Sequence, residues 1–185
     1  MASAREARAT LQDLYREPGK AELIGGRIVR LLATGRKPNR VAGRIYRSLD
    51  EYAERTGRGE AYTDNMGFTV PTLPSGRESF SPDASYYSGP FGPNDMRFVN
   101  GPPTFAVEVR SENDYGAAAD REYAEKRRDY FQAGAVVVWD VDPIAETITC
   151  YRPGGAQPVT FRRGDVADAE PAVPGWRINA DEVFA

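Results

Sequence analysis

Thr104-Phe105-Ala106-Val107-Glu108-Val109-Arg110 is the stretch on which the fold turns. Phe105, Val107 and Val109 alternate with Ala106, Glu108 and Arg110, the two-residue period of a β-strand. Further on, Ala135-Val136-Val137-Val138-Trp139 is the longest unbroken apolar run, and it predicts a central buried strand over 135–141. Residues 115–133 between them read as a helix stopped by Gly134. That order implies a central mixed sheet with helices packed on it, an α/β fold.

Working outward, residues 3–16 read as a short helix carrying Leu11, Leu14 and Tyr15, ended by Pro18-Gly19. Residues 21–32 read as a hairpin turning at Gly25-Gly26. Pro38 opens a long helix whose Val41, Ile45, Leu49 and Tyr52 recur at helical spacing, closed by Gly57 and Gly59. Residues 61–70 and 79–87 are expected as strands, 88–103 as a loop, and 147–152 as a strand after an Asp142-Pro143 turn. The end of the chain, 181–184, reads as a short amphipathic segment.

The chain has 185 residues, 41% apolar and 28% charged, which suits one globular domain over 1–185. There is no histidine, which excludes Ser-His-Asp and Cys-His catalysis and every histidine-liganded metal site. A single cysteine, Cys150, excludes an internal disulfide and a multi-cysteine zinc site. No apolar run approaches a membrane span, and residues 1–6 offer no secretory core, so a cytoplasmic protein without membrane contact is expected. Net charge is −3, unevenly spread: residues 1–60 carry 13 basic and 8 acidic side chains, residues 61–185 carry 11 and 19. Of 24 basic residues only Lys20, Lys37 and Lys126 are lysine. The basic segment from Arg27 to Arg58 suits phosphate contact as well as ordinary solvation.

Two charged residues sit where the pattern calls for apolar ones. Glu108 lies mid-strand, and a buried carboxylate needs a proton, a cation or a metal beside it. Lys126 shares a helical stripe with Ala119, Tyr123, Tyr130 and Ala133, so it points toward the sheet, while Asp129 and the other charges of that helix fall mostly off the stripe. The pair alone would make an internal ion bridge. Asp83, in Ser81-Pro82-Asp83 at or inside a strand, adds a second acid. Two carboxylates and a lysine meet the needs of metal-assisted phosphodiester hydrolysis, with Mg²⁺ or Mn²⁺ as the hard ion and no histidine required.

These pieces resemble a known family. Glu22-Leu23-Ile24-Gly25-Gly26-Arg27-Ile28-Val29 is similar to its E-L-I-x-G-x-[IL]-V hairpin, Ser81-Pro82-Asp83 to [AS]-P-D, and Val107-Glu108-Val109-Arg110-Ser111 to V-E-V-x-S. Glu125-Lys126-Arg127-Arg128-Asp129-Tyr130 resembles E-K-x-x-x-Y, and the ordered match runs from about residue 11 onward. The family is the Uma-type restriction endonucleases of the PD-(D/E)xK superfamily. The resemblance implies a restriction endonuclease-like fold, Asp83 and Glu108 as metal ligands, Lys126 as a relocated catalytic lysine, and Glu22 as a further acidic member. Arg110 occupies the position of the usual lysine, where it can contact phosphate but cannot titrate. Asn39 or Arg40 stands where the family often has histidine, and Glu112 where it has proline.

A metal-dependent endonuclease acting on DNA is therefore expected, a homodimer suiting the cutting of both strands, with a cleft opening toward the Arg27–Arg58 segment. The alternative is a non-catalytic module that keeps the fold and binds nucleic acid or protein. Tyr86, Tyr87, Phe91 and Phe98 offer base-stacking surfaces or, more ordinarily, core.

Overall fold

A computed structural model describes residues 8–185. The first part of the expected 3–16 helix lies outside the described residues. Helix α1 spans only Leu11–Leu14, started by a capping box in which Thr10 and Asp13 satisfy each other's backbone donors. Strands β1 (Ala21–Ile24) and β2 (Arg27–Arg30) form the hairpin, and Gly25 and Gly26 both take the positive φ that its two-residue turn requires. Helix α2 (Arg36–Thr56) begins two residues ahead of Pro38 and ends on the left-handed Gly57.

The expected strands over 61–70 and 79–87 are each broken in two. The first splits into β3 (Glu60–Thr63) and β4 (Phe68–Thr69), because Asn65 turns the chain with φ 74°. The second splits into β5 (Ser79–Phe80) and β6 (Ala84–Tyr87) at Ser81-Pro82-Asp83, where proline has no N–H for a ladder. The 88–103 loop holds one short strand, β7 (Val99–Asn100), parallel to β4. Strand β8 (Phe105–Val109), helix α3 (Ala117–Ala133) and strand β9 (Val137–Asp142) follow the expected order, and β8 and β9 pair in parallel across the α3 crossover. Then come β10 (Thr147–Tyr151), β11 (Val159–Arg162), β12 (Val166–Asp168), β13 (Arg177–Asn179) and helix α4 (Ala180–Phe184).

The main sheet has the order β11-β10-β9-β8-β6-β3. One face carries Phe105, Val107 and Val109 of β8 against Val41, Ile45, Leu49 and Tyr52 of α2. Both tryptophans join it, with Trp139 and Trp176 at 5.3 Å between ring centroids and each close to Phe105. Residues 167–184 add Ala169, Val173, Ile178, Val183 and Phe184 to this core. The other face packs Ala106 and Val138 against Tyr130 of α3, with Phe80 stacked on the Tyr130 ring. Glu108 follows Ala106 in strand parity, so its side chain emerges on the α3 face, away from α2. Among the described residues no helix is long and apolar enough to cross a membrane.

Candidate active site

Glu108 is reached by two side chains of α3. Lys126 Nζ lies 2.9 Å from its Oε1, and the Tyr130 hydroxyl donates to the same oxygen at 2.6 Å. One helical turn separates Lys126 from Tyr130, so the stripe expected from the sequence brings both to one carboxylate. Among the described residues no donor reaches Oε2. The Glu108 side chain as a whole is only 12% exposed.

Asp83 lies in the break before β6. Its backbone N–H donates to Val107 O, and its Oδ2 accepts from the Val109 N–H at 2.8 Å, which fastens the carboxylate beside the peptide of Glu108. Its Oδ1 accepts from Lys20 Nζ at 2.9 Å, and the same ammonium pairs with Asp64. Burial alone would depress Lys20, but Asp83 and then Glu108 outweigh it and hold its pKa well above the ordinary lysine value. Lys20 thus lies in the field of both acids.

Glu22 of β1 completes the cluster from below. Its Oε1 accepts from the Ser81 N–H at 3.0 Å and lies 3.2 Å from Lys126 Nζ, while its Oε2 pairs with Arg77. Arg77 also donates through Nε to Asp129 at 2.9 Å, and all three of these side chains are under 10% exposed. One guanidinium therefore ties the hairpin, the segment before β5 and α3 together. Asp129, expected off the buried stripe, is buried because Arg77 is there to meet it.

The two glutamates do not share one electrostatic condition. Burial would raise Glu22, yet Lys126 and Arg77 overcome it and hold the group below the usual carboxylate value. Glu108 goes the other way: burial raises it, Lys126 opposes, and the added repulsion of Asp83 and Glu22 leaves it above the usual value. Lys126 is disfavoured by burial but lifted above its ordinary value by Glu108 and then Glu22. Tyr130 is pushed far upward by burial and by Glu108, so it remains a hydrogen-bond donor at neutral pH.

Of the sequence candidates, Glu108, Lys126 and Glu22 meet directly, and Asp83 joins through Val109 and Lys20. Arg110 does not serve as a free phosphate contact. It binds Asp140 through both Nε and Nη2, Asp120 through Nη1, and lies over the Tyr123 ring at 4.8 Å. Its charge is spent within the fold. The expected opening toward Arg27–Arg58 is also not met by the helical part of that segment, since α2 covers the opposite face of the sheet. Tyr87 and Phe98 are packed rather than presented, Phe98 against Gly67, whose added Cβ would meet its ring at 2.6 Å.

Sequence reasoning missed Lys20, Arg77 and Asp129. A signal for Lys20 was available: two of the three lysines in an arginine-rich chain converge on these carboxylates. Arg77 follows Gly76 in what reads as a turn, and nothing local marks it for burial. Among the described residues no group of three acidic, cysteine or histidine side chains is arranged to hold a metal by itself. What the site offers is two carboxylates side by side, each with a cation against it.

The family model described as Uma2, putative restriction endonuclease, matches residues 8–181. No curated protein matches the chain. Among solved structures, a putative nuclease belonging to DUF820 from Anabaena variabilis has a TM-score of 0.74 at 16% identity, covering 95% of this chain and 97% of that one. At that identity the likeness speaks for the fold. A DrdV–DNA complex also matches, with a TM-score of 0.37 at 16% identity over 65% of this chain and 10% of that one, a similarity that bears on neither fold nor function.

Proposed function

The chain belongs to the Uma2 family of putative restriction endonucleases, and from that premise we propose that it is a Mg²⁺- or Mn²⁺-dependent endonuclease hydrolysing DNA phosphodiester bonds. In this reading Asp83 and Glu108 hold the ion and Lys126 acts beside them. The observation that carries it is the convergence of Asp83 and Glu108 at the end of β8, with Lys126 against Glu108 and Lys20 against Asp83. An ion pair with Lys126 alone would favour its ionised form, yet burial, and then the repulsion of Asp83 and Glu22, keep it above the usual value, and among the described residues no donor reaches its Oε2. A cation held by Asp83 and Glu108 would relieve that repulsion.

The donor set fits a hard divalent ion. Carboxylate oxygens from two adjacent positions, with the remaining places left to water and phosphate, are what Mg²⁺ takes in nucleotide sites. Such an ion, when bound, neutralises phosphate charge and makes water more acidic. The remaining work falls to the chain. Lys126 is held protonated by Glu108 and Glu22, so at neutral pH it supplies a fixed positive charge and donors, not a base. Tyr130, one turn along α3, donates to the same Glu108 oxygen and so helps fix its rotamer. Cutting both strands of a duplex calls for two such sites, which a two-fold homodimer supplies.

The first test is thermal stabilisation by Mn²⁺ and Mg²⁺. Binding to the folded state raises the midpoint by mass action, without knowledge of the DNA substrate. A saturable rise in the wild type, lost in both Asp83→Asn and Glu108→Gln, is the expected result. No rise in the wild type, or a rise untouched by both substitutions, rejects the metal assignment.

Lys20 gives a sharper version. Its ammonium is bound to Asp83, one of the two carboxylates that would hold a metal, with Asp64 as a second partner that can keep it when it leaves. Lys20→Met is expected to lower the midpoint of the metal-free protein while tightening Mn²⁺ binding by at least about tenfold, because one unit charge at contact distance is removed. Titration calorimetry checks the second half. Unchanged or weaker Mn²⁺ binding would show that Lys20 does not compete with the ion.

A further inference from the structure

Helix α2 was left without a role once its apolar stripe had been packed. Its opposite face carries Arg36, Arg40, Gly43 and Arg47, at steps of four, three and four, which align on one line along a helix. All four are exposed. Arg44 lies half-buried at the side of this line, its guanidinium donating to the Val183 carbonyl. Lys37 stands at the start, 3.8 Å from Glu146. Among the described residues Arg36, Arg40 and Arg47 form no ion pair, and the acids Asp50, Glu51 and Glu54 begin only in the turn after Arg47.

The arrangement works against the helix that carries it. Like charges one turn apart repel, and Arg40 and Arg47, after burial, help push Arg44 below its usual pKa. Arg36 and Lys37 occupy the first turn, where the helix dipole is already positive and where α2 has no acidic residue. Gly43 adds a third penalty. A mid-helix glycine destabilises a helix relative to alanine, because it loses more backbone freedom on folding. Here no packing excuses it, for a Cβ at Gly43 would meet nothing within 4 Å. What the glycine provides is a flat step between Arg40 and Arg47, where another molecule's backbone can come close to the helix.

The position of the line supplies the partner. Thr34, just ahead of α2, shares a 2.7 Å hydrogen bond with Ser111, three residues beyond Glu108, and Leu31 N–H donates to the Lys20 carbonyl. The line therefore starts at the end of the sheet where Asp83 and Glu108 lie and runs about 16 Å away along the opposite face. From this geometry we infer that the Arg36–Arg40–Gly43–Arg47 face of α2 seats the phosphate backbone of duplex DNA that extends past the catalytic end of the sheet. The inference rests on the nuclease reading for its choice of partner and specifies where that partner lies. Seated there, the backbone neutralises the arginines and lies against the Gly43 step.

The test is fluorescence-anisotropy titration of a short labelled duplex of mixed sequence, in EDTA so that cleavage plays no part, across a series of salt concentrations. Arg36→Ala/Arg40→Ala/Arg47→Ala is expected to reduce the slope of log affinity against log salt by about two to three, close to one per lost phosphate contact. Gly43→Glu should weaken binding at least tenfold, while Gly43→Ala should raise the thermal midpoint, showing that the fold has no need of the glycine. Wild-type slope and affinity in the triple variant overturn the inference and leave the nuclease reading standing. A lower midpoint in Gly43→Ala also overturns it, since the glycine would then be structural. Arginine-dependent binding by a protein that never cleaves with metal retires the nuclease reading alone, and a wild type that binds no duplex retires both.

Discussion

Arg77→Met is expected to destabilise the protein by about 3–5 kcal/mol, the usual result of removing one partner from a buried ion network. For a chain of this length that lowers the thermal midpoint by on the order of 10 °C. The reason is what the substitution leaves behind. Glu22 and Asp129 are both buried and both use the same guanidinium, which also stacks near the Phe80 ring. Without it, Glu22 retains Lys126 and the Ser81 N–H, and Asp129 loses its ion-pair partner. Arg77→Lys should recover only part of the loss, because a point charge cannot span two carboxylates as a planar fork does.

The pH dependence gives the prediction a second check. The folded pKa of Glu22 lies below its unfolded value, so its charge contributes stability that is present above the unfolded value and is lost as pH falls through the folded one. Arg77 is one of the two cations that hold it there. The deficit of Arg77→Met relative to wild type should therefore be greatest near neutrality and shrink as the medium is acidified below the ordinary glutamate range. Denaturant titrations at several pH values measure this directly, and a deficit that stays constant into acid would place the effect in lost packing rather than in stranded charge.

The network also marks how far the site was legible in the sequence. Glu108 and Lys126 betrayed themselves because each violates a periodic pattern, one in a strand and one on a helical stripe. A charge that breaks such a pattern must find a partner inside. Arg77 and Asp129 violate nothing that a single chain displays. Asp129 lies beside the stripe rather than on it, and Arg77 sits in a Gly-flanked turn, so only the return of that turn under α3 buries both. Arg110 shows the converse. Its motif position suggested a phosphate contact, but Asp140 across the β8–β9 pair and Asp120 on α3 engage its charge.

The fold was legible in the same uneven way. Hydrophobic pattern marked β8, α2 and β9 because each buries a run of apolar side chains, whereas α3 buries only Asp129 and Tyr130 and was marked by its place between two strands and by Gly134. The strands β11, β12 and β13 carry three or four residues apiece with little apolar alternation. Their pairing partners define them, not their composition. Asp83 was placed at or inside a strand, yet its value to the site depends on the break at Pro82. That break frees its carboxylate to accept the Val109 N–H beside Glu108.

Lys126→Met is expected to reduce metal-dependent DNA cleavage by about 10²–10⁴-fold, the range for a positioned group that acts in the transition state. The sharper expectation concerns what restores it. Lys126 is held above its ordinary pKa by Glu108 and Glu22, so at neutral pH it cannot take a proton from water and contributes as a cation. A permanently charged guanidinium keeps that contribution, and Lys126→Arg should recover a measurable part of the rate that methionine loses. If lysine instead served as the base, arginine would be as inactive as methionine, and the wild-type rate would climb with pH through a lysine titration absent from both variants. The assay needs a control for folding, because Lys126→Met also removes a counter-charge from buried Glu22 and Glu108. Mn²⁺-induced stabilisation supplies it. Lys126 is not expected to hold the ion, so the variant should still be stabilised by Mn²⁺ while its cleavage rate falls. Loss of both together would mean that Lys126 builds the site rather than acts in it.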